Sequence, residues 1–594
     1  MKTLFTLGFA FLLLGSLRAQ LTTHIPQEVD FVLTWNPANL DKKVPLNKVQ
    51  DMQMWEMGIS QLAAGMAPDN EELMYQFLNS PSAFGVDGMG TVYFVGKQAE
   101  AGLQVAMLFG ITDQAKLTKF AQDISEAPLQ AVSKGNYQYY DIEENVAFAH
   151  TANTGVIGFT VPEPDAEAPF SWDEDYEYDE EEEESAEEAP PAPAAAKLPV
   201  GDWLATLMRT TSNNLLNNQQ YRRTLETSYD VGFYIDYAYV NRVQQDNGLR
   251  QLSALGGMSA LTDLLNGMYE GTFLGGGLNF LPGKIQLNTK YYSTPKMERL
   301  LEQATEHKFK KQLVRYLKGD ELVGFLHLNF DTEDTAEGTK ELYKDAARSF
   351  PEYGEAAATA MEIMGMFIDE EQLYELLPGQ MVIGMTGVEM VERLKTVTEY
   401  DENFEPVDVE KMVTEPLPQF TAVIQTADER SMRKFMKLGR ELGVLESQGA
   451  YYKVMSEEVP MDMYAAIVKD AVIITTDGNL MGSRLASGYR GEQAVSKDML
   501  KRMKGASTLF YIDIEQAVKA GANAASGDAA MAMMGVGMVA DRFKSVQIHS
   551  PADQENGFLT SFIIEMSDDK TNALEQLLDL LNMGASMMMG GDRT

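Results

Sequence analysis

VAMLFGITDQAKLTKFA, from Val105 to Ala121, and FTAVIQTADERSMRKFM, from Phe420 to Met436, align without a gap. Asp113 meets Asp428, Leu117 meets Met432, Lys119 meets Lys434 and Phe120 meets Phe435, at a constant offset of 315 residues. Each segment opens as an apolar run suited to a strand, turns at an aspartate and continues with helical spacing. The aspartate stands where a carboxylate caps the first free amides of a helix. Leu117, Phe120, Ala121 and Ile124 then fall at i, i+3, i+4 and i+7. Met432, Phe435 and Met436 begin the same stripe, and Gly443 marks its stop.

The match extends outward. The tyrosine-rich strand Gly135–Tyr140 meets GAYYKV at Gly449–Val454, and VAFAHTANTGVIGFT meets DMYAAIVKDAVIITT, with Val156 against Val472. Both of the latter read as hairpins with a short polar turn. Phe233-Tyr234-Ile235-Asp236 recurs as Phe510-Tyr511-Ile512-Asp513, at an offset of 277. After each come strands and a helix, ending in KIQLNTKYYSTPKMERLLEQA in one case and FLTSFIIEMSDDKTNALEQLLDLL in the other. The offset falls by about the length of Glu163–Lys197, a glutamate, proline and alanine tract with little to bury, which reads as a solvated linker present in one half only.

The expected fold is therefore α+β, a tandem duplication of units with antiparallel sheets and helices packed on one face. The expected boundaries are residues 1–19 for a signal peptide, 20–162 for unit A1, 163–197 for the linker and 198–315 for unit A2. Units B1 and B2 follow at 316–492 and 493–594.

Composition narrows the function classes. The chain has 594 residues, 45% hydrophobic and 9% aromatic, as expected of several globular domains. MKTLFTLGFAFLLLGSLRAQ has the charged start, short apolar run and small residues of a secretory signal; a short buried N-terminal helix is the alternative. No later segment is long and apolar enough to span a bilayer. With 0 cysteines there are no disulfides, thiolate nucleophiles, Cys-ligated metals or lipidated cysteine. A net charge of −40 sets nucleic acid and anionic membrane surfaces aside.

Motifs for chemistry are weak. Asp173, Asp175, Glu177, Asp179, Glu181 and Glu184 have EF-hand spacing, but Tyr178 stands where the loop needs glycine. His24, His150, His307, His327 and His549 show no helical zinc spacing, so satisfied or surface histidines are expected. Gly277–Ile285, GLNFLPGKI, misses the phosphate-loop spacing and reads as a glycine-rich strand and turn. Gly535 to Ala540 fits G-x-G-x-x-A but follows a helical run rather than a strand. Among 36 methionines, clusters at Met52/Met54/Met57, Met531/Met533/Met534/Met538 and Met587/Met588/Met589 serve as core filler, an apolar-partner surface or, less readily, a Cu(I) site. The C-terminal MGASMMMGGDRT reads as a mobile tail. No catalytic, cofactor-binding or metal-binding residue is assigned, and no cofactor is called for.

IPQEVDFVLTWNPANL (Ile25–Leu40) and NSPSAFGVDGMGTVYFV (Asn79–Val95), with its Gly85-x-Asp87 turn before an aromatic strand, resemble an uncharacterised "domain of unknown function" family of exported Bacteroidetes proteins. The resemblance implies an envelope location, periplasmic or outer-membrane-associated, and no known activity. Many relatives look like lipoproteins; this chain has no cysteine to lipidate and departs from them there. The leading expectation is a non-catalytic protein that binds or organises other envelope components. A carboxylate-based hydrolase acting on glycans or peptides, and a chaperone-like or lipid-binding carrier, are the alternatives. The oligomeric state is open.

Overall fold

Alternating apolar and polar residues make strands that bury one face, and among the described residues twenty strands form between Phe31 and Met566. The computed structural model describes residues 21–63, 68–99, 102–125, 128–143, 145–161, 200–209, 212–224, 229–237, 271–294, 298–299, 309–317, 322–348, 359, 374–400, 406–455, 461–486, 495–524, 537, 539–552 and 557–590. The expected signal peptide, the expected acidic linker with its EF-hand-like window, His307 and Met531 to Met534 and Met538 lie outside them. So do Gly535 and Val536, and the side chains of Met587 to Met589.

The chain forms two compact units. Unit 1 comprises residues 1–243, 273–278 and 581–594; unit 2 comprises 244–272 and 279–580. The first strands are β1 (Phe31–Trp35), β2 (Val92–Ala99), β3 (Gly102–Gly110), β4 (Val132–Lys134) and β5 (Tyr137–Glu143). After them come β6 (Val146–His150), β7 (Thr154–Val161), β8 (Val231–Asp236) and β9 (Phe273–Leu281). In unit 1 they pair antiparallel in the order β4-β5-β6-β7-β3-β2-β1-β8-β9.

Unit 2 uses β10 (Lys284–Tyr292), β11 (Gly324–Asn329), β12 (Gln380–Tyr400), β13 (Pro406–Gln425), β14 (Leu445–Ser447) and β15 (Tyr452–Val454). It adds β16 (Met463–Val468), β17 (Ala471–Thr475), β18 (Ala506–Asp513), β19 (Phe543–Pro551) and β20 (Phe558–Met566). Its order is β14-β15-β16-β17-β13-β12-β11-β18-β19-β20-β10, again antiparallel.

Both aspartates of the opening alignment cap helices. Asp113 Oδ1 accepts from the Lys116 amide at 3.2 Å ahead of Gln114–Ile124, and Asp428 Oδ1 accepts from the Ser431 amide at 3.0 Å ahead of Glu429–Glu441. The second helix stops before Gly443, whose φ of 75° is the left-handed cap that glycine adopts freely.

The packing of the two helices differs. Leu117 and Phe120 are buried, and Phe120 stacks on Phe77 with ring centroids 4.5 Å apart. In the second helix Met432 and Met436 are buried, but Phe435, expected in the same stripe, is 62% exposed. It joins Leu438 and Leu442 on the outer side of the helix, all three exposed.

Three further expectations change. Residues assigned to A1 and A2 share one sheet, because β1 takes β2 on one edge and β8 on the other; β11 does the same with β12 and β18. Helices in unit 2 cover both faces of β18, with Met503 of Lys497–Lys504 in the core below and Ile514–Ala524 above. The C-terminal tail is a helix as far as Gly590, with Ala585 buried and Ser586 Oγ donating to Gln53 Oε1 at 2.5 Å.

Candidate functional site

The register of β12, β11 and β18 sorts their side chains cleanly. Phe325, His327, Val382 and Leu509 point to one face, where Leu313, Val314, Leu317 and Met503 bury them. Gly324, Leu326, Ile383, Met385, Phe510 and Ile512 share the other face, and Leu326, Ile383, Met385, Phe510 and Ile512 are only half-buried. An apolar sheet face of this kind needs a cover.

The cover is the helix Ile514–Ala524, which leaves β18 directly. Asp513, the last residue of the repeated Phe-Tyr-Ile-Asp motif, accepts from the Gln516 amide at 3.0 Å and starts it. Ala517, Ala520 and Gly521 fall at i, i+3 and i+4 on its inner side. Helix and strands together line a cavity of about 450 Å³. That volume is in the range of small-molecule sites. Tyr511 points to the opposite face, stacked on Phe325 with ring centroids 5.5 Å apart, and its phenol is pushed up to about 12 by burial and then by Asp513 and Glu565.

The strands of unit 1 carry different residues at the corresponding register. Phe31 occupies the register position of Gly324, and Gly96 that of Met385. A Cβ on Gly96 would stand 2.0 Å from the Phe31 ring, so the ring lies flat over the strand. In unit 2 Gly324 beside Met385 leaves that position without a ring.

Two other clefts are polar. In unit 1, Glu28, Asp30, Asp236, Lys97 and Asn218 line about 340 Å³. Asp30 Oδ2 accepts from the Gln98 amide at 2.6 Å, which ties that carboxylate to the strand edge. In unit 2, about 490 Å³ beside the base of β12–β13 holds the Lys453–Asp462 ion pair at 2.7 Å.

The histidines divide. His24 contacts Leu207 O and Thr154 Oγ1, and His150, fully buried, contacts Thr118 Oγ1, Tyr140 OH and Thr151 O. His327 is also fully buried, but among the described residues neither ring nitrogen has a hydrogen-bond partner. Burial lowers its pKa to about 4, so the ring is neutral. Sequence reasoning expected a satisfied or surface histidine here. Among the described residues no group of three or more His, Asp or Glu is placed to hold a metal ion.

The remaining motifs are structural. Gly277–Ile285 is the end of β9, a turn at Pro282-Gly283 and the start of β10. Gly85, at φ 81°, ends the turn Pro81–Phe84 and accepts from the Thr112 and Asp113 amides. Asp87 accepts from the Met89 amide at 3.1 Å, and burial raises its carboxyl. Met52 is buried, and Met54 and Met57 are half-buried.

No helix among the described residues is long and apolar enough to cross a membrane. No protein-family model and no curated protein matches the chain. Two crystal forms of TP0453 are similar in part. Form III is 10% identical at a TM-score of 0.23, over 49% of this chain and 88% of that one; form IV is 11% identical at 0.22, over 45% and 79%. Likenesses this low carry no statement about fold or function.

Proposed function

We propose that this is a non-catalytic binding protein of the cell envelope that holds one aliphatic chain in the apolar cleft of unit 2. The cleft itself carries the reading: six in-register apolar positions on three strands face a helix whose inner side is Ala517, Ala520 and Gly521. Water gains no polar partners there, whereas each buried methylene contributes about 0.8 kcal/mol. Of the expectations drawn from sequence, this favours the lipid-binding carrier. Export and an envelope location rest on the N-terminal signal and the family resemblance. A duplicated origin is supported by the matching strand orders, with β1 to β9 answering to β11 to β19. The hydrolase reading would use a polar cleft such as that of Glu28, Asp30 and Asp236 in unit 1.

A fluorescent polyene fatty acid tests the proposal directly, because its emission rises in an apolar site. The intact protein should bind it saturably, and Ala520→Trp, which fills the cleft, should weaken binding at least ~10-fold. Equal binding by the two proteins, or none by either, would sink the carrier reading.

A further inference from the structure

β12 and β13 continue as a pair after their outer neighbours end. β11 pairs with β12 as far as Met385 and β17 with β13 only from Thr421, yet β12 and β13 stay in register from Val388↔Pro418 to Tyr400↔Pro406. Among the described residues no strand covers either outer edge of this ribbon. In unit 1 the corresponding hairpin closes at Ala99↔Gly102. A lone two-stranded ribbon is marginal in water, and its bare edges are templates for pairing.

The two edges differ chemically. Pro416 and Pro418 on β13 lie opposite Met390 and Val388. Proline has no N–H, so these are non-hydrogen-bonded pairs, and their free backbone positions point away from β12. Prolines so placed blunt the β13 edge. By the same alternation Val388, Met390, Glu392 and Leu394 turn their N–H and C=O groups outward from β12. From Val388 to Tyr400 that strand contains neither proline nor glycine. Its edge is open.

The side chains along it are mixed. Met390 and Leu394 are 39% and 60% exposed, and Met412, opposite Leu394, is 63% exposed. On the other face Arg393 and Lys395 share the Glu415 carboxylate, at 3.3 and 2.6 Å. Glu389, four residues before Arg393, accepts from Gln419 Nε2 at 3.0 Å.

We infer that the open β12 edge is a self-association surface, to which a second copy of this chain adds its own β12 antiparallel about a two-fold axis. Centring the axis on Val391 sets Glu389 opposite Arg393 in both directions and Val388 opposite Leu394, with no like charges opposed. The outward backbone groups of Val388, Met390, Glu392 and Leu394 then supply the hydrogen bonds. The charge pattern is thus complementary to its own reverse, as an isologous contact requires. The net charge of −40 opposes association at long range. The contact is therefore expected at an ionic strength of about 0.15 M, where the Debye length is about 8 Å.

Sedimentation velocity on the full chain, from about 1 to about 100 μM, tests this, since complexes of that strength are well within reach of a specific interface. The expected result is a monomer–dimer equilibrium. Glu392→Pro removes an outward donor without touching a β12–β13 bond and should weaken the dimer at least ~10-fold. Glu389→Lys and Arg393→Glu should each weaken it, and the double exchange should restore it to within ~3-fold. Far-UV circular dichroism checks that each variant keeps its fold. A full chain that stays monomeric throughout, or that instead binds extended peptides as a monomer, overturns the inference. A dimer equally strong in folded Glu392→Pro overturns it as well, and so does a double exchange that restores nothing.

Discussion

Replacing His327 by leucine should remove a specific part of the protein's sensitivity to acid. The ring is fully buried on β11 against Phe309, with centroids 4.6 Å apart, and burial holds its pKa at about 4 against 6.5 when exposed. Because the folded value is depressed, the neutral ring's stability is fully present above pH 6.5 and is lost as pH falls through 4. Linkage between these two values gives a loss of about 2 kcal/mol at pH 5 and about 3 kcal/mol near pH 4, relative to pH 7.5. His24, His150 and His549, also lowered by burial, add losses of the same sign. They remain in the variant, so the difference between the proteins isolates His327.

The assay is urea unfolding at pH 7.5 and 5.0, with hydrogen exchange of β11 peptides as the local readout. At pH 5 the wild-type peptides should open at least about 30-fold more often than at pH 7.5 after correction for intrinsic rates, the equivalent of about 2 kcal/mol from His327 alone. His327→Leu should lose far less, and at pH 7.5 it should match or exceed the wild type, since it buries no unpaired nitrogen. Equal acid losses in the two proteins would refute the reasoning.

Two further predictions concern packing and a turn. Phe120→Ala empties a ring stacked on Phe77 and should cost about 3–5 kcal/mol, whereas Phe435→Ala, its aligned partner on an exposed surface, should stay within about 0.5 kcal/mol; thermal unfolding with comparable losses for both would contradict the packing described. Gly85→Ala places a Cβ 2.0 Å from Asp113 O at φ 81° and should cost at least about 2 kcal/mol, read by the emission of Trp35, Trp55 and Trp203 on unfolding. A silent Gly85→Ala would mean that the turn tolerates a side chain.

Local chemistry was legible in the sequence. Asp113 and Asp428 cap as expected because a cap depends on residues within one turn, and the hairpins at Val146–Val161 and Met463–Thr475 needed only adjacent alternation. Sheet membership was not legible, since β1 pairs with β8 across about 200 residues of chain and no local period reports such a partner. Phe435 has the spacing of a core residue; whether that stripe meets a neighbour is decided outside the helix. The cleft escaped for a related reason. Ala517, Ala520 and Gly521 look like an ordinary small-residue stretch until the strands opposite them are known. The repeated Phe-Tyr-Ile-Asp was visible, but not that its aspartate begins the helix over the cleft.

The β1–β8 pairing also sets what the acidic tract costs in free energy. From Val161 to Val231 the chain between β7 and β8 is roughly twice as long as that from Thr475 to Ala506 between β17 and β18. Loop-closure entropy grows only with the logarithm of length, so each doubling of a flexible connection costs about 0.6 kcal/mol. That is less than the removal of one core methylene. An insertion at this point is almost invisible to the stability of the sheet, which leaves its length and composition free to answer to demands outside the fold.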